Sequence, residues 1–380
     1  MKIVRNNNNS RIVEFNTKNG ASQTPFFMPD ATRGYVKFLS NDDVLGSGIK
    51  QMVVNTYHLF LGPGIDIVKD AGGVNKFMNW EYPLLSDSGG YQVFSLIHKN
   101  PKMGKITDEG ATFRSPVNGA INELTPERAI QIQFDLKVDM MVCLDDVPPN
   151  NYSKDAISDA VDRTIAWARR CKDEYNRQLK ERGMNVESED RPLIFGVIQG
   201  GSYVDLREKC AKGLTEIGFD GYGFGARHID ENGEFMEEIL EKTASFIPED
   251  SLRFALGVGT PNDIVRCFKM GWDMFDCVIP TREGRHGRLF FWNNDMKEKS
   301  VLDGDFSEFY FTENMTLEKN KKDFTLVSEG CDCDLCEKHT RAYLHHLFKT
   351  KDPLGPRLAA IHNLKFYSEL VERMKKSMEV

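Results

Sequence analysis

Short apolar runs recur along the chain, and most of them end in polar or glycine-rich residues. They are TPFFMPDATRG (24–34), KQMVVNTYH (50–58), YPLLSDSGG (82–90), VDMMVCLDDVPP (138–149), PLIFGVIQGG (192–201), DGYGFGA (220–226), LRFALGVG (252–259) and MFDCVIPTR (274–282). Their length and near-continuous hydrophobicity are those of strands covered on both faces. Helical patterns separate the later ones. TPERAIQIQFDL opens with Thr125 as N-cap and Pro126 at the first helical position, and TPNDIVRCFKMG repeats the device with Thr260, Pro261 and a capping-box Asp263. A long charged helix is predicted from Ser153 to about Arg182, with two more over 204–217 and 233–246. The Asn6–Asn9 tract reads as a turn or hairpin tip. Eight buried strands alternating with helices predict an α/β fold of the (β/α)8 TIM-barrel type. A doubly wound open sheet would need a glycine-rich phosphate loop after its first strand, and FFMPDATRG is not one.

Such a barrel carries its chemistry at the C-terminal ends of its strands. The polar residues there are Asp87 and Ser88, Asp145 and Asp146, Gln199 and Asp276. Each alone could be an ordinary N-cap or turn residue, but four strands deliver such groups to one rim. In MFDCVIPTREGRHGR (274–288), Asp276 sits inside an apolar strand, and a basic loop with Arg282, Arg285, His286 and Arg288 follows at once. Beyond it the pattern changes. Residues 289–330 show no clear period, CDCDLC follows at 331–336, and two helical stretches are predicted over 337–350 and 355–378. The expected division is a barrel over 1–288 that carries the active site, an appended subdomain over 289–350 near the last strand, and a C-terminal helix over 351–380 that packs back on the barrel.

Composition narrows the class. With 380 residues, 40% of them hydrophobic and 28% charged, the chain has room for one large barrel with an insertion. No apolar run approaches the ~20 residues of a membrane span, and MKIVRNNNNSRIVEF lacks a signal-peptide apolar region, so a cytoplasmic protein is expected. The net charge of −8 argues against nonspecific nucleic-acid binding but leaves room for a local basic surface. Of the eight cysteines, Cys143, Cys171, Cys210, Cys267 and Cys277 are scattered and read as buried thiols, whereas Cys331, Cys333 and Cys336 crowd into one turn. Three thiolates so close point to zinc, which needs a fourth ligand. His339, His345, His346 and His362 are candidates, and spacing does not choose among them. A closed site of this kind is structural rather than catalytic.

Taken together, TPFFMP, NTYHLFLGPG, LLSDSGGYQVFSL, CLDDV, GVIQGG, GVGTPNDIV, MFDCVIPTREGRHG, CDCDLC and HNLKFY resemble the tRNA-guanine transglycosylases, in family order over nearly the whole chain. The resemblance implies a (β/α)8 barrel with a zinc subdomain near its last strand. It implies exchange of guanine at wobble position 34 of GUN-anticodon tRNAs for a 7-deazaguanine, either 7-aminomethyl-7-deazaguanine or queuine. It makes Asp276 the nucleophile and Asp87 the general acid/base. Asp145 would bind the N1–H and amine edge of the base, and Gln199 would donate to O6, assisted by backbone N–H groups around Gly225 and Ala226. Tyr91 and Leu256 would sandwich the ring, unless they are core residues, and Ser88 would meet its Hoogsteen edge. Arg282, Arg285 and Arg288 would contact the tRNA anticodon loop, unless acids such as Glu283 pair with them. The fourth zinc ligand becomes His362, supplied by the C-terminal helix, which leaves His339, His345 and His346 as helix-surface residues. The family also implies a homodimer, one structural zinc ion and no organic cofactor.

Several positions depart from the family pattern. GFGARHIDE stands where a glycine-rich stretch is usual, with Arg227 and His228 beside the expected base pocket. Glu231 matches the glutamate that supports this loop, but Asp230 replaces a glycine. Gly62 stands for an arginine and Asp30 for a small apolar residue. Val147 is similar to the queuine-using enzymes. Other readings are a related transglycosylase acting on DNA or another tRNA position, and a non-catalytic tRNA-binding subunit, which retention of Asp87, Asp145, Gln199 and Asp276 opposes. A zinc hydrolase would need its metal on the barrel rim, where CDCDLC does not lie.

Overall fold

All eight apolar runs form strands, and these strands pair in parallel. The computed structural model describes residues 1–149, 151–293, 300–303 and 309–379. In it the barrel strands, called here strands 1 to 8, are Phe26–Pro29, Met52–Asn55, Leu84–Asp87, Met140–Val142, Leu193–Ile198, Gly221–Phe224, Leu252–Ala255 and Met274–Cys277. Strand 1 pairs with strand 8, and pairing then runs unbroken from strand 8 down to strand 2. A parallel bridge of Asp30 with Val53 closes the ring, with the Ala31 N–H donating to the Val53 carbonyl at 2.7 Å.

Period-two alternation decides what each strand shows to the inside. Phe26, Met28, Val53, Leu85, Met140, Val142, Phe195, Val197, Leu252, Phe254 and Met274 fill the lumen as one cluster. Their neighbours Phe27, Met52, Val54, Leu84, Met141, Ile194, Phe224 and Phe275 turn outward under the helices. Continuing the inward series by one step reaches Asp30, Asn55, Asp87, Gln199, Gly225, Leu256 and Asp276. The top layer of the lumen is therefore polar where the layers beneath are apolar.

The opposite mouth is plugged by an antiparallel sheet of Lys2–Asn7, Ser10–Thr17 and Gly20–Gln23, turning at Asn8 and Asn9 as expected. Val13 and Phe15 from this sheet join the lumen cluster. Its buried Arg11 pairs with Asp273, just ahead of strand 8, through bonds of 2.9 and 2.6 Å. The predicted helices are present as Pro126–Leu136, Lys154–Glu181, Val204–Ile217, Glu237–Ser245 and Pro261–Lys269. The fourth starts later than expected because the Asp230 carboxylate ties the preceding segment into a turn, accepting from the Asn232 and Glu234 N–H groups at 2.8 Å each. A small sheet of Gly104–Thr107, Gly110–Arg114 and Ile121–Leu124 was not foreseen.

After strand 8 the basic segment is not a loop. Residues Ile279–Arg285 form a helix, and Arg288–Trp292 a strand paired with Tyr310–Asn314. Pro280 suits the first helical turn, and Gly284 lets this helix press on the C-terminal helix Leu354–Ser377. A Cβ at Gly284 would lie 2.8 Å from the Ala360 backbone. The stretch predicted as one helix over 337–350 is two, Asp334–Lys338 and Arg341–Lys349, with Thr340 capping the second. The C-terminal helix serves two cores. Leu364, Phe366, Tyr367 and Leu370 pack with the barrel, while Leu358, Ala359 and Ile361 pack with Leu289, Phe291, Leu335 and Leu344. Among the described residues no helix is long and apolar enough to cross a membrane.

Candidate active site

Three carboxylates meet in the top layer. Asp276, next to last in strand 8, accepts the Gly257 N–H through Oδ1 at 2.7 Å. Asp87 lies opposite Asn55 in the strand 2–strand 3 register, and the Asn55 amide donates to its Oδ2 at 3.2 Å. The other end of that amide caps the helix Thr56–Leu61 by accepting the His58 N–H, so a helix cap orients a group that holds a site carboxylate. Asn55 is not among the site residues expected from the sequence, although N-cap chemistry is its signal. Burial pushes Asp87 up to about 6, against the Asn55 hydrogen bond, and the charge of Asp30 adds to the rise. Asp276 is held well above the ordinary carboxylate range by burial and then by Asp87, with the Gly257 N–H opposing. Asp30 is also raised by burial, while the Thr32 N–H and Arg285 favour its charged form. Like charges in a poorly solvated layer oppose one another's ionisation, which favours a retained proton on one carboxyl of the set. A retained proton beside an ionisable nucleophile is what acid–base group transfer requires.

The acid pair after strand 4 splits in two directions. Asp146 turns to the helix Lys154–Glu181, where Arg163 Nη1 donates to it at 2.6 Å and Thr164 Oγ1 accepts its N–H. Asp145 stays in the site, pushed up to about 7 by burial against a 2.6 Å hydrogen bond from Gln199 Nε2. The expected free donor of Gln199 is thus already engaged, and its buried Oε1 has no partner among the described residues. Gly225 also differs from expectation, since its N–H donates to the Ile198 carbonyl at 2.9 Å. Only glycine fits there, because a Cβ would come within 2.4 Å of Gln199 Nε2. Ala226, with φ 70°, then turns the chain away.

Tyr91 is 55% exposed at the start of the helix Gly90–Lys99 and is therefore not a core residue. Leu256 packs from above on the lumen cluster and remains partly open. Ser88 is buried and accepts the Gly90 N–H at 3.2 Å. The departing residues of GFGARHIDE differ in exposure. Arg227 is exposed, and His228 lies 3.6 Å from Asp263 and edge-on to Phe235. Glu231 is exposed and lines a separate polar cavity with Asp230, Tyr152 and Tyr203.

Arg207 went unnoticed in the sequence. It occupies a core-facing position of the helix Val204–Ile217, beside Leu206, Cys210 and Leu214. Its Nη1 donates to the Ile198 and Gly225 carbonyls at 2.6 and 3.0 Å, and its Nε to Gly201 at 3.0 Å. It thereby ties together the ends of strands 5 and 6, and burial lowers its pKa to about 9. An arginine on the apolar stripe of an amphipathic helix was the available signal. The basic residues after strand 8 do not act alike. Exposed Arg282 and Arg288 both approach Glu283, at 3.6 and 3.5 Å, whereas half-buried Arg285 faces Asp30.

The cysteine turn meets the C-terminal helix. His362 Nδ1 lies 3.7, 3.7 and 3.2 Å from the sulfurs of Cys331, Cys333 and Cys336, and all four ligand atoms fall within 4.8 Å of one another. A tetrahedral zinc ion with ordinary Zn–S and Zn–N bonds spaces S and N by roughly 3.6 Å, so the set fits. His362 Nε2 sits 2.8 Å from the Phe290 carbonyl, which places the proton on Nε2 and leaves the Nδ1 lone pair for a metal. His346 is exposed and His339 stacks on Tyr343, but His345 is not a surface residue. It is buried with Nδ1 at 3.0 Å from the Met315 carbonyl, because its side of the short helix faces the Tyr310–Asn314 hairpin.

Comparison with known proteins finds relatives over nearly the whole chain. A family model described as Queuine tRNA-ribosyltransferase matches residues 6–380. The chain is 38% identical over 378 residues to a Queuine tRNA-ribosyltransferase of Aliivibrio fischeri (strain MJ11), covering 100% of this chain and 92% of the relative. It is 39% identical over 369 residues to one of Staphylococcus aureus (strain JH9), covering 97% of this chain and 89% of the relative.

Proposed function

The chain belongs to the queuine tRNA-ribosyltransferase family, pentosyltransferases that act on tRNA with a base substrate, and we propose that it exchanges guanine at wobble position 34 of GUN-anticodon tRNAs for a 7-deazaguanine through a covalent aspartyl–ribose intermediate. The observation that carries this reading is the top lumen layer, where Asp87 and Asp276 converge from strands 3 and 8 and burial favours the protonated form of each. The target nucleotide is flipped into the lumen, since C1′ is unreachable in a stacked loop. An Asp276 oxygen bonds to C1′ as the C1′–N9 bond breaks, and Asp87 gives its proton to the departing guanine. The incoming base then returns a proton to Asp87 and bonds to C1′ through N9, and the Asp276 carboxylate leaves. Two displacements retain configuration, and similar glycosidic bonds on both sides require no ATP.

The base would lie between Tyr91 and Leu256, near Ser88, with the Ala226 backbone assisting beside Gly225. Asp145, an acceptor when ionised, suits the N1–H and amine donors of a guanine edge. Gln199 already donates to Asp145 and would turn that N–H to O6 once the base occupies the carboxylate. Arg282, Arg285 and Arg288 follow the nucleophile in the chain and would meet anticodon-loop phosphates. Cys331, Cys333, Cys336 and His362 would hold one structural zinc ion, which joins the cysteine turn to the C-terminal helix. A cytoplasmic homodimer is the assembly this reading expects. Half-buried Val147 and the outward turn of Arg227 favour a bulkier base such as queuine.

The test is incubation with radiolabelled guanine and an unmodified tRNA bearing a GUN anticodon. Label enters the tRNA with the intact protein, and Asp276→Asn abolishes incorporation. Absence of exchange into any tRNA overturns the reading. Competition between queuine and the aminomethyl base then identifies the preferred substrate.

A further inference from the structure

Asp30 is a site carboxylate that the mechanism above leaves without a task. Strand 1 presents Phe26 and Met28 to the lumen, and Asp30 is the next residue on that face. The strand 1–strand 8 register sets Met28 opposite Asp276 and Pro29 opposite Cys277, so Asp30 stands at the rim on the strand next to the nucleophile's, one inward-facing step beyond its level. Asp87 is farther round the barrel, beyond strand 2. The Asp30 side chain is held by its own turn, with Oδ1 accepting from both the Thr32 N–H, at 2.7 Å, and the Thr32 hydroxyl. Its Oδ2 takes no donor among the described residues. Arg285 favours its charged form from beyond ion-pair contact. The result is an oriented acceptor with one open oxygen.

Stereochemistry says what that oxygen meets. The nucleophile must approach C1′ from the ring face opposite the departing base. In a ribonucleotide the 2′-hydroxyl lies on that same face, on the carbon adjacent to C1′. A group beside Asp276 and on its side of the sugar therefore faces the 2′-hydroxyl, and an ionised carboxylate matches an O–H donor. We propose that Asp30 Oδ2 accepts a hydrogen bond from the 2′-hydroxyl of the nucleotide under attack, and so selects RNA over DNA at the reacting position. This inference rests on Asp276 as the attacking group. The bond tightens as positive charge develops at C1′, because that charge makes the neighbouring hydroxyl a better donor. It is a specificity contact, distinct from the base-reading pair Asp145 and Gln199.

The experiment is single-turnover exchange of labelled guanine into two anticodon stem-loops of one sequence, one entirely ribose and one 2′-deoxy only at the target nucleotide. Wild type and Asp30→Ala are compared on both. Intrinsic reactivity differences between the sugars cancel in the ratio of ratios. Loss of a hydrogen bond to a charged acceptor predicts a rate about 10- to 100-fold lower for Asp30→Ala on the ribose stem-loop. The rate on the deoxy stem-loop stays within about threefold of wild type, as the missing partner there makes no bond to lose. Equal loss on both stem-loops, which a purely electrostatic or structural role would give, overturns the inference, as does no loss on either. If Asp30→Ala does not fold, Asp30→Asn keeps the Thr32 contact and is read by the same ratio. Failure of the wild-type protein on the ribose stem-loop would instead overturn the proposed exchange itself.

Discussion

Single residues in the top layer are arranged for chemistry at the expense of stability. Asp145 has its pKa pushed up to about 7 by burial, from an ordinary 3.8. The folded protein therefore binds this proton more tightly than the unfolded chain does. Stability attributable to Asp145 is greatest below about pH 4 and declines as the pH rises towards 7. Asp87 acts with the same sign over a window that closes near 6. Replacing Asp145 by asparagine keeps an acceptor for Gln199 and removes the buried charge. Asp145→Asn is expected to raise Tm at pH 8 by several degrees, by less at pH 5, and to abolish base exchange. The rise from 3.8 to about 7 corresponds to roughly 4 kcal/mol as an upper bound. Scanning calorimetry at the two pH values decides the matter, and a gain that does not grow with pH contradicts it. The acids themselves could be picked out in the sequence by their place at strand ends. Strand position alone does not choose between Asp145 and Asp146, which the family resemblance did in favour of Asp145; in the fold Arg163 draws Asp146 aside and Gln199 engages Asp145.

At the scale of elements, caps and apolar runs were readable because they are written in neighbouring residues. Thr125 and Thr260 cap the helices they were expected to cap, and Ser153, expected as the start of the long helix, is its N-cap. The sheet over 104–124 and the hairpin after strand 8 were missed, since partly exposed strands lack the continuous apolar signature of the barrel. The C-terminal helix is the joint between the two cores. Asn363 donates to the Pro280 and Arg288 carbonyls at 2.9 Å each, and Tyr367 to Gly259 at 3.2 Å, while His362 faces the cysteines. Cys333→Ser should lower zinc content below one ion per chain and reduce Tm by several degrees, with exchange retained in proportion to the folded fraction. Elemental analysis alongside thermal melts checks this. Complete loss of exchange at unchanged Tm would instead place the metal in the chemistry.

Across the whole molecule the two barrel mouths divide the work. The C-terminal mouth gathers strained, charged and open groups, while the N-terminal mouth is sealed by the first sheet and the Arg11–Asp273 pair. Arg11 also donates to the Glu249 and Ser251 carbonyls at 2.6 and 2.5 Å, so no replacement restores all its contacts. Arg11→Met leaves Asp273 buried without its partner and should cost about 3–5 kcal/mol of folding stability. Exchange per folded molecule, assayed well below Tm, should stay unchanged because the pair lies at the far end of the lumen. Urea unfolding and the exchange assay measure the two halves of this expectation separately, and a parallel fall in both would refute it.

The sequence by itself determined the eight strands, most helices with their caps, the three clustered thiols and the acids at the rim. These follow from periods of two and 3.6 residues and from spacing within a few positions, which local sterics and burial enforce. Tertiary structure alone decided the partners. It set His362 against the cysteines, with its Nε2–H donating to the Phe290 carbonyl, and it tied strands 5 and 6 together through Arg207. It also turned Arg285 toward Asp30 and placed Asp30 on the strand next to that of Asp276. Those pairings join residues from about 10 to 250 positions apart, and closing the barrel brings them together: the first strand must lie against the last, so chemistry from both ends of the chain meets in one layer.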